Sequence, residues 1–242
     1  VYTYLPTSAD KTYFLPPTLT NGNVHGIIVL NVYNERLLRL LAETQIPKVF
    51  LDTSSLVAPD ELNGDLLLME SRTSVRRITC HLLEQGRTLP GFIGDISYAQ
   101  SNRERYEGFC QALADAGKKV DSSLCLTTPL GIDTYREEID TFLSSLSRMP
   151  DAFVCASDYV ACILMQLLEK RGLRVPEDVA VSGFDNNTED LLAEHLTTVQ
   201  VFNEELGARL ALQILYRIKY PNTPHEITYL GTNVLYRDST GD

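Results

Sequence analysis

Residues 174–187 read RVPEDVAVSGFDNN. A turn around Pro176 gives way to a short apolar run, Val179–Phe184, which stops in an acid and two amides, Asp185, Asn186 and Asn187. A run of this kind without strict alternation, bounded by turn residues, is the pattern of a strand covered on both faces in a parallel sheet. In open parallel sheets ligands lie beyond the carboxyl ends of the strands. Asp185 and Asn186 are then what this strand offers to a crevice. A carboxylate accepts hydrogen bonds from neighbouring hydroxyls, and an amide both donates and accepts, which suits a neutral polyol such as a sugar. Asp185 would equally serve as the cap of a following helix or as the support of a turn.

The same rhythm runs along the rest of the chain. Strands are predicted at His25–Leu30, Lys48–Asp52, Asp65–Met69, Gly91–Asp95, Ala152–Ala156, Val179–Phe184 and Thr198–Val201, all as parallel strands. Between them the apolar spacing turns helical. In Asn102–Ala116, Tyr106, Phe109, Cys110, Leu113 and Ala114 fall on one face, and Gly117 follows as the stop. Ser71–Gln85, Thr134–Arg148 and Tyr159–Arg171 repeat the pattern, the last capped by Ser157 or Asp158. A helix from an Asn203 cap to Lys219 carries Glu204 and Glu205 at its positive end. Strands alternating with helices make an α/β protein built from parallel sheets. Periodicity alone leaves open whether there is one sheet or two.

Composition narrows the function. The chain has 242 residues, 44% hydrophobic and 22% charged, with a formal net charge of −11. Affinity for nucleic acid comes largely from Lys and Arg neutralising phosphates, so these residues are not expected to grip DNA themselves. The longest apolar stretch, Val160–Leu168, includes Gln166 and falls short of the roughly 18 to 20 residues that span a bilayer. The opening VYTYLPTSADKTYF has no basic region ahead of an apolar one, so no signal peptide is expected. The five cysteines (Cys80, Cys110, Cys125, Cys155 and Cys162) are scattered with no CxxC pair, and read as free thiols in a reducing compartment. His25, His81, His195 and His225 show no metal spacing, and no cofactor or metal is expected.

Other strand ends are polar as well. Asp52 follows VFL, Asp95 follows GFIG, and Ser157 with Asp158 follows VCA. Arg105 opens the helix after Asp95, where a guanidinium either forks onto ligand hydroxyls or pairs at the surface with Glu104. Catalytic templates are absent: there is no GxSxG, GxxxxGK[ST], HExxH or GxGxxG. An enzyme is not expected.

GLRVPEDVAVSGFDNN resembles a signature of the LacI/GalR family of bacterial transcriptional regulators. VHGIIVL, IPKVFLD, HLLEQGRTLPGFIGD, SNRERYEGFCQALADAG, PDAFVCASDYVACILMQLLEKRG, LTTVQ with FNEELGARLALQIL, and the closing LYRDST resemble that family in the same order, over residues 24–240. The resemblance implies a fold like a type I periplasmic binding protein: two doubly wound subdomains around a ligand cleft. The amino-terminal one would be 1–68 plus 202–230 and the other 71–198 plus 233–242, with crossings near 68–70, 199–201 and 230–233. It implies that Arg105 of the RxxGF pattern and Asp185 of GFD contact a small effector, with Ser101 at a further contact position. Where the family usually has Asn, Ser157 stands here, a shorter polar contact. Asn186, Tyr98 and Glu70 are lesser candidates, Glu70 replacing the common Asp at the first crossing.

The same resemblance, to a family whose effectors are usually sugars or nucleobases, implies an effector-sensing domain for a sugar or related polyol in a cytoplasmic homodimer. Operator DNA would be bound only through a helix-turn-helix module absent from this chain. The first strand and helix of the effector domain are expected to be missing too, with VYTYLP as its second strand. A periplasmic sugar-binding protein of a transport system is the alternative reading of the same architecture. The identity of the effector is not legible.

Overall fold

The computed structural model describes residues 15–131, 133–187 and 194–242. VYTYLP, expected as a strand, lies outside the described residues. The chain divides into two compact units. One is formed by the part of the chain up to Met69 with Tyr98–Ser101 and Phe202–Gly231; the other by Glu70–Ser97, Asn102–Val201 and Thr232–Asp242.

The first unit is built on four parallel strands, β1 (Ile27–Leu30), β2 (Lys48–Leu51), β3 (Asp65–Met69) and β9 (Ile227–Leu230), in the order β1-β2-β3-β9. Ile27 pairs with Lys48, Val49 with Asp65, and Leu66 with Ile227. Successive strand residues point to opposite faces, and both faces are covered. Phe50, Leu66 and Leu68 pack with Leu37, Leu38 and Leu41 of helix α2 (Glu35–Ala42), which follows the short α1 (Pro17–Thr20). Val49 and Leu67, one residue out of phase, pack with Leu206, Leu210 and Ile214 of α7 (Asn203–Lys219). Helix α2 was not predicted, although Asn34 caps it through the Leu37 N–H at 3.0 Å. Asn203, expected as the cap of α7, is its first helical residue. Phe202 holds the cap position without a side-chain bond, and Glu204 and Glu205 sit in the first turn.

The second unit has a parallel sheet in the order β5-β4-β6-β7: β4 (Pro90–Ile93), β5 (Cys125–Leu126), β6 (Ala152–Cys155) and β7 (Ala180–Ser182). Its helices are α3 (Arg72–Glu84), α4 (Gln100–Asp115, which starts in the first unit), α5 (Tyr135–Ser145) and α6 (Asp158–Lys170). Gly117 follows α4 with φ +69°, the left-handed stop that its sequence position predicts. The core gathers Ile93, Phe153, Cys155, Val181 and the apolar face of α6. The strand at 198–201 differs from expectation. As β8 (Thr198–Gln200) it pairs antiparallel with β10 (Asn233–Leu235), Val199 opposite Val234. A three-residue strand carries no local signal of direction; the returning chain sets it. The architecture is α/β with parallel sheets covered by helices, as predicted.

Candidate functional site

In the second unit the chain runs from β4 through α4 out to β5, then returns through α5 to β6 on the other side of β4. The order reverses between β4 and β6. Helices that leave a parallel sheet on opposite sides open a crevice at the carboxyl ends of such a pair. There the backbone of β6 ends at Cys155, and the Ala156 carbonyl accepts a hydrogen bond from Arg105 Nη1. The guanidinium carbon lies 3.7 Å over the centroid of the Phe184 ring, whose residue is fully buried. Arg105 Nη2 lies 3.6 Å from Asp185 Oδ1, an ion pair longer than a hydrogen bond. Arg105 is 5% exposed, and its Nε–H finds no partner among the described residues. A buried donor without a partner costs free energy unless a ligand or water completes it.

Asp185 is held by backbone. Its N–H donates to the Val199 carbonyl at 3.1 Å, and the Gly183 N–H donates to Thr197 at 2.8 Å. Asp185 and Asn186 take φ of +112° and +51°, conformations costly for side-chain-bearing residues. Gly183 is required by space: a Cβ there would lie 2.2 Å from Asp158 Oδ1. Burial raises the Asp185 pKa against the attraction of Arg105, yet 43% of its side-chain surface meets solvent. Asp185 is thus a carboxylate with spare acceptor capacity beside a cation held in place from beneath.

The other candidates divide. Ser157 caps α6, its Oγ accepting the Val160 N–H at 3.3 Å. Asn186 uses both ends of its amide, donating to Gln200 Oε1 at 2.5 Å and accepting from Arg237 Nη2 at 2.8 Å. It braces the loop at that point. Glu70 receives the Thr73 N–H at 2.6 Å and the Ser74 N–H at 3.2 Å, closing the first turn of α3. Ser101 and Tyr98 belong to the first unit. There the Ser101 hydroxyl donates to Asp52 Oδ2 at 2.6 Å, and the Tyr98 ring lies 4.2 Å from that of Tyr33.

Two residues carry more weight than their reading in the sequence gives them: Asp158, a polar strand end and possible cap, and Phe184, a strand's last residue. Asp158 is 2% exposed; its carboxylate accepts the Thr198 hydroxyl at 2.6 Å and the Asn187 N–H at 2.8 Å. Burial pushes its pKa up to about 6 despite those two bonds. Phe184, read only as the end of a strand, is the surface on which Arg105 rests. Among the described residues no group of His, Cys, Asp and Glu is placed to hold a metal, and no helix is long and apolar enough to cross a membrane.

Residues 79–240 match the family described as a periplasmic binding protein-like domain. The HTH-type transcriptional repressor PurR of Aliivibrio fischeri is 29% identical over 225 residues, 91% of this chain and 66% of PurR. The HTH-type transcriptional regulator DegA of Bacillus subtilis is 31% identical over 170 residues, 69% of this chain and 48% of DegA. The chain therefore spans two thirds or less of the length of these curated relatives. Among solved structures, the complex of the transcriptional regulator CelR with cellobiose superposes with a TM-score of 0.81 at 27% identity, covering 92% of this chain and 68% of that one. A LacI-family regulator from Sanguibacter keddieii gives a TM-score of 0.68 at 26% identity, covering 81% and 72%.

Proposed function

The chain belongs to the periplasmic binding protein-like domain family, as the effector-binding region of a LacI/GalR-type transcriptional regulator, and from that premise we propose that it senses a small polyol, with Arg105 and Asp185 as the principal contacts. The observation that carries the reading is the pair itself. A carboxylate with free lone pairs stands beside a buried guanidinium that keeps one N–H unpartnered, at the reversal point of a parallel sheet. Asp185 accepts two ligand hydroxyls, and Arg105 donates to a ligand oxygen from a planar, fixed fork. Relatives that are transcriptional regulators, one of them solved with cellobiose, support a sugar as the ligand.

Binding energy spent on one conformation of the regulator over another shifts their balance by the difference in affinity, and no further. In the intact cytoplasmic homodimer that shift changes operator affinity, by about 5- to 150-fold for a coupling of about 1 to 3 kcal/mol. The DNA contacts belong to a helix-turn-helix module outside these residues, in keeping with the net charge of −11.

A thermal-shift screen of monosaccharides and disaccharides identifies the effector, because a ligand that binds only the folded state raises Tm. Arg105→Ala and Asp185→Asn then weaken binding at least about tenfold, on the scale of one lost charge-assisted hydrogen bond. Tm without ligand changes little for Asp185→Asn. Undiminished binding in both variants refutes the assignment. On the intact regulator, operator titration with and without the effector tests the coupling; equal DNA affinity in the two series removes it.

A further inference from the structure

The sequence holds two Asn-Gly pairs, Asn21-Gly22 and Asn63-Gly64, and both lie in the first unit. Before glycine an asparagine is easily lost, because the next peptide nitrogen attacks the side-chain amide carbon and glycine puts no side chain in its way. The attack closes a succinimide ring. The proton of the peptide N–H leaves with the side-chain NH2, which departs as ammonia. Water then opens the ring at one carbonyl or the other, giving Asp or isoaspartate. In isoaspartate the main chain runs through the side chain and is longer by a methylene. Water is the co-reactant, and nothing is oxidised or reduced.

The fold treats the two pairs differently. Asn63, just ahead of β3, has its leaving group occupied: Nδ2 donates to the Ala42 carbonyl at 2.9 Å. Its own carbonyl accepts from Lys48 Nζ at 3.0 Å. Gly64 is buried, and a Cβ there would lie 2.4 Å from Lys48 Cγ. The peptide that must swing onto the side chain is thus pinned from both ends. Asn21 caps the end of α1, and Asn21, Gly22 and Asn23 are all exposed. Gly22 takes φ +77°, with no atom of the described residues within 4 Å of where a Cβ would stand. The Asn21 Oδ1 accepts the Asn23 N–H at 3.1 Å. Negative charge develops on that oxygen as the nitrogen attacks, so a backbone donor already aimed at it favours ring closure.

We infer that Asn21 is a site of spontaneous deamidation in the folded chain, and that Asn63, the same pair in sequence, is protected by the fold. The new carboxylate stands in the connection between α1, whose Leu19 packs against the first unit's core, and strand β1. It adds negative charge to an already acidic chain. The inference is independent of the effector reading.

The test incubates the chain in mildly alkaline buffer, folded and in urea, and follows both sites by peptide mass spectrometry. Each exchange of NH2 for OH adds about 1 Da. In the folded chain Asn21 converts at least about tenfold faster than Asn63; in urea, where local structure is gone, the two rates come within about threefold. Electron-transfer fragmentation separates isoaspartate from Asp. A mixture of the two marks the ring, whereas Asp alone means direct hydrolysis and overturns the route. Gly22→Ala, which puts a side chain beside the attacking nitrogen, slows Asn21 by at least about fivefold and leaves Asn63 unchanged; an unchanged Asn21 rate also counts against the route. Equal conversion at the two sites in the folded chain, faster conversion at Asn63, or none at Asn21 while the urea sample reacts overturns the inference.

Discussion

Asp158 shows how one buried side chain sets a pH response. It is almost fully enclosed, and burial lifts its pKa from an ordinary 3.8 to about 6, with Thr198 and Asn187 pulling in the opposite direction. A folded-state pKa above the unfolded one means that the folded chain binds more protons between about pH 4 and 6. Its contribution to stability is complete below about pH 4 and is lost as pH rises through 6. The magnitude is on the order of 3 kcal/mol. Asp158→Asn removes that dependence, so urea midpoints measured at pH 4.5 and 7 lie closer together in the variant than in the parent chain. An unchanged gap between the two midpoints excludes Asp158 as its source. The sequence leaves Asp158 as one of two possible caps for α6; the Thr198 and Asn187 groups that hold its carboxylate lie 40 and 29 residues away in sequence.

Among the elements, α7 is fixed to β3 by charge as well as by packing. Arg217, 2% exposed, donates through Nε at 3.0 Å and through Nη2 to the carboxylate of Asp65, which is fully buried. Gln213, one turn earlier, donates to Asp65 at 2.7 Å, and Arg217 also holds the Pro224 carbonyl at 2.9 Å. Burial alone would raise the Asp65 pKa, but the bonds from Arg217 and Gln213 outweigh it and hold the carboxyl below the usual range. Removing one partner strands a buried charge. Arg217→Met is expected to destabilise the first unit by about 3 to 5 kcal/mol, and the pair Arg217→Met with Asp65→Leu to recover most of that, read from chemical denaturation. Equal losses in the single and double variants would show that the bonds from Arg217 to the Pro224 carbonyl and, through Nη1 at 2.6 Å, to the Thr223 carbonyl, and not the ion pair, are what matter. Neither residue stands out in the sequence. Arg217 reads as a surface residue of an amphipathic helix, because the carboxylate it meets is supplied by a strand 152 residues away.

Across the whole molecule, the two units keep separate cores, one around α2, α7 and the β1-to-β9 sheet, the other around α6 and β4 to β7. A core defect should therefore be felt locally. Leu164→Ala, at a fully buried position of α6, is expected to cost about 2 to 5 kcal/mol. Amide hydrogen exchange then shows loss of protection concentrated in β4, β6, β7 and α6, with slow amides of β2 and β3 little changed. Loss of equal size in both sets would mean a single cooperative core.

What the sequence determines by itself is the ladder of elements. Apolar runs, helical spacing and glycine stops place most of the helices and strands, and they put Asp185 at a strand's carboxyl end, because these signals act over a few neighbouring residues. Helix α2 and strand β9 escape that reading, the first for its two-turn length, the second because its residues are half exposed and lack a core strand's pattern. The tertiary structure alone decides sheet order, the antiparallel pairing of β8 and β10, and which polar side chains clamp and which remain open. Asn186 and Glu70 look as available as Asp185 in sequence, yet their groups are spent on Gln200, Arg237 and the first turn of α3. Hydrogen-bond capacity is finite, and what consumes it comes from residues brought together only by the fold.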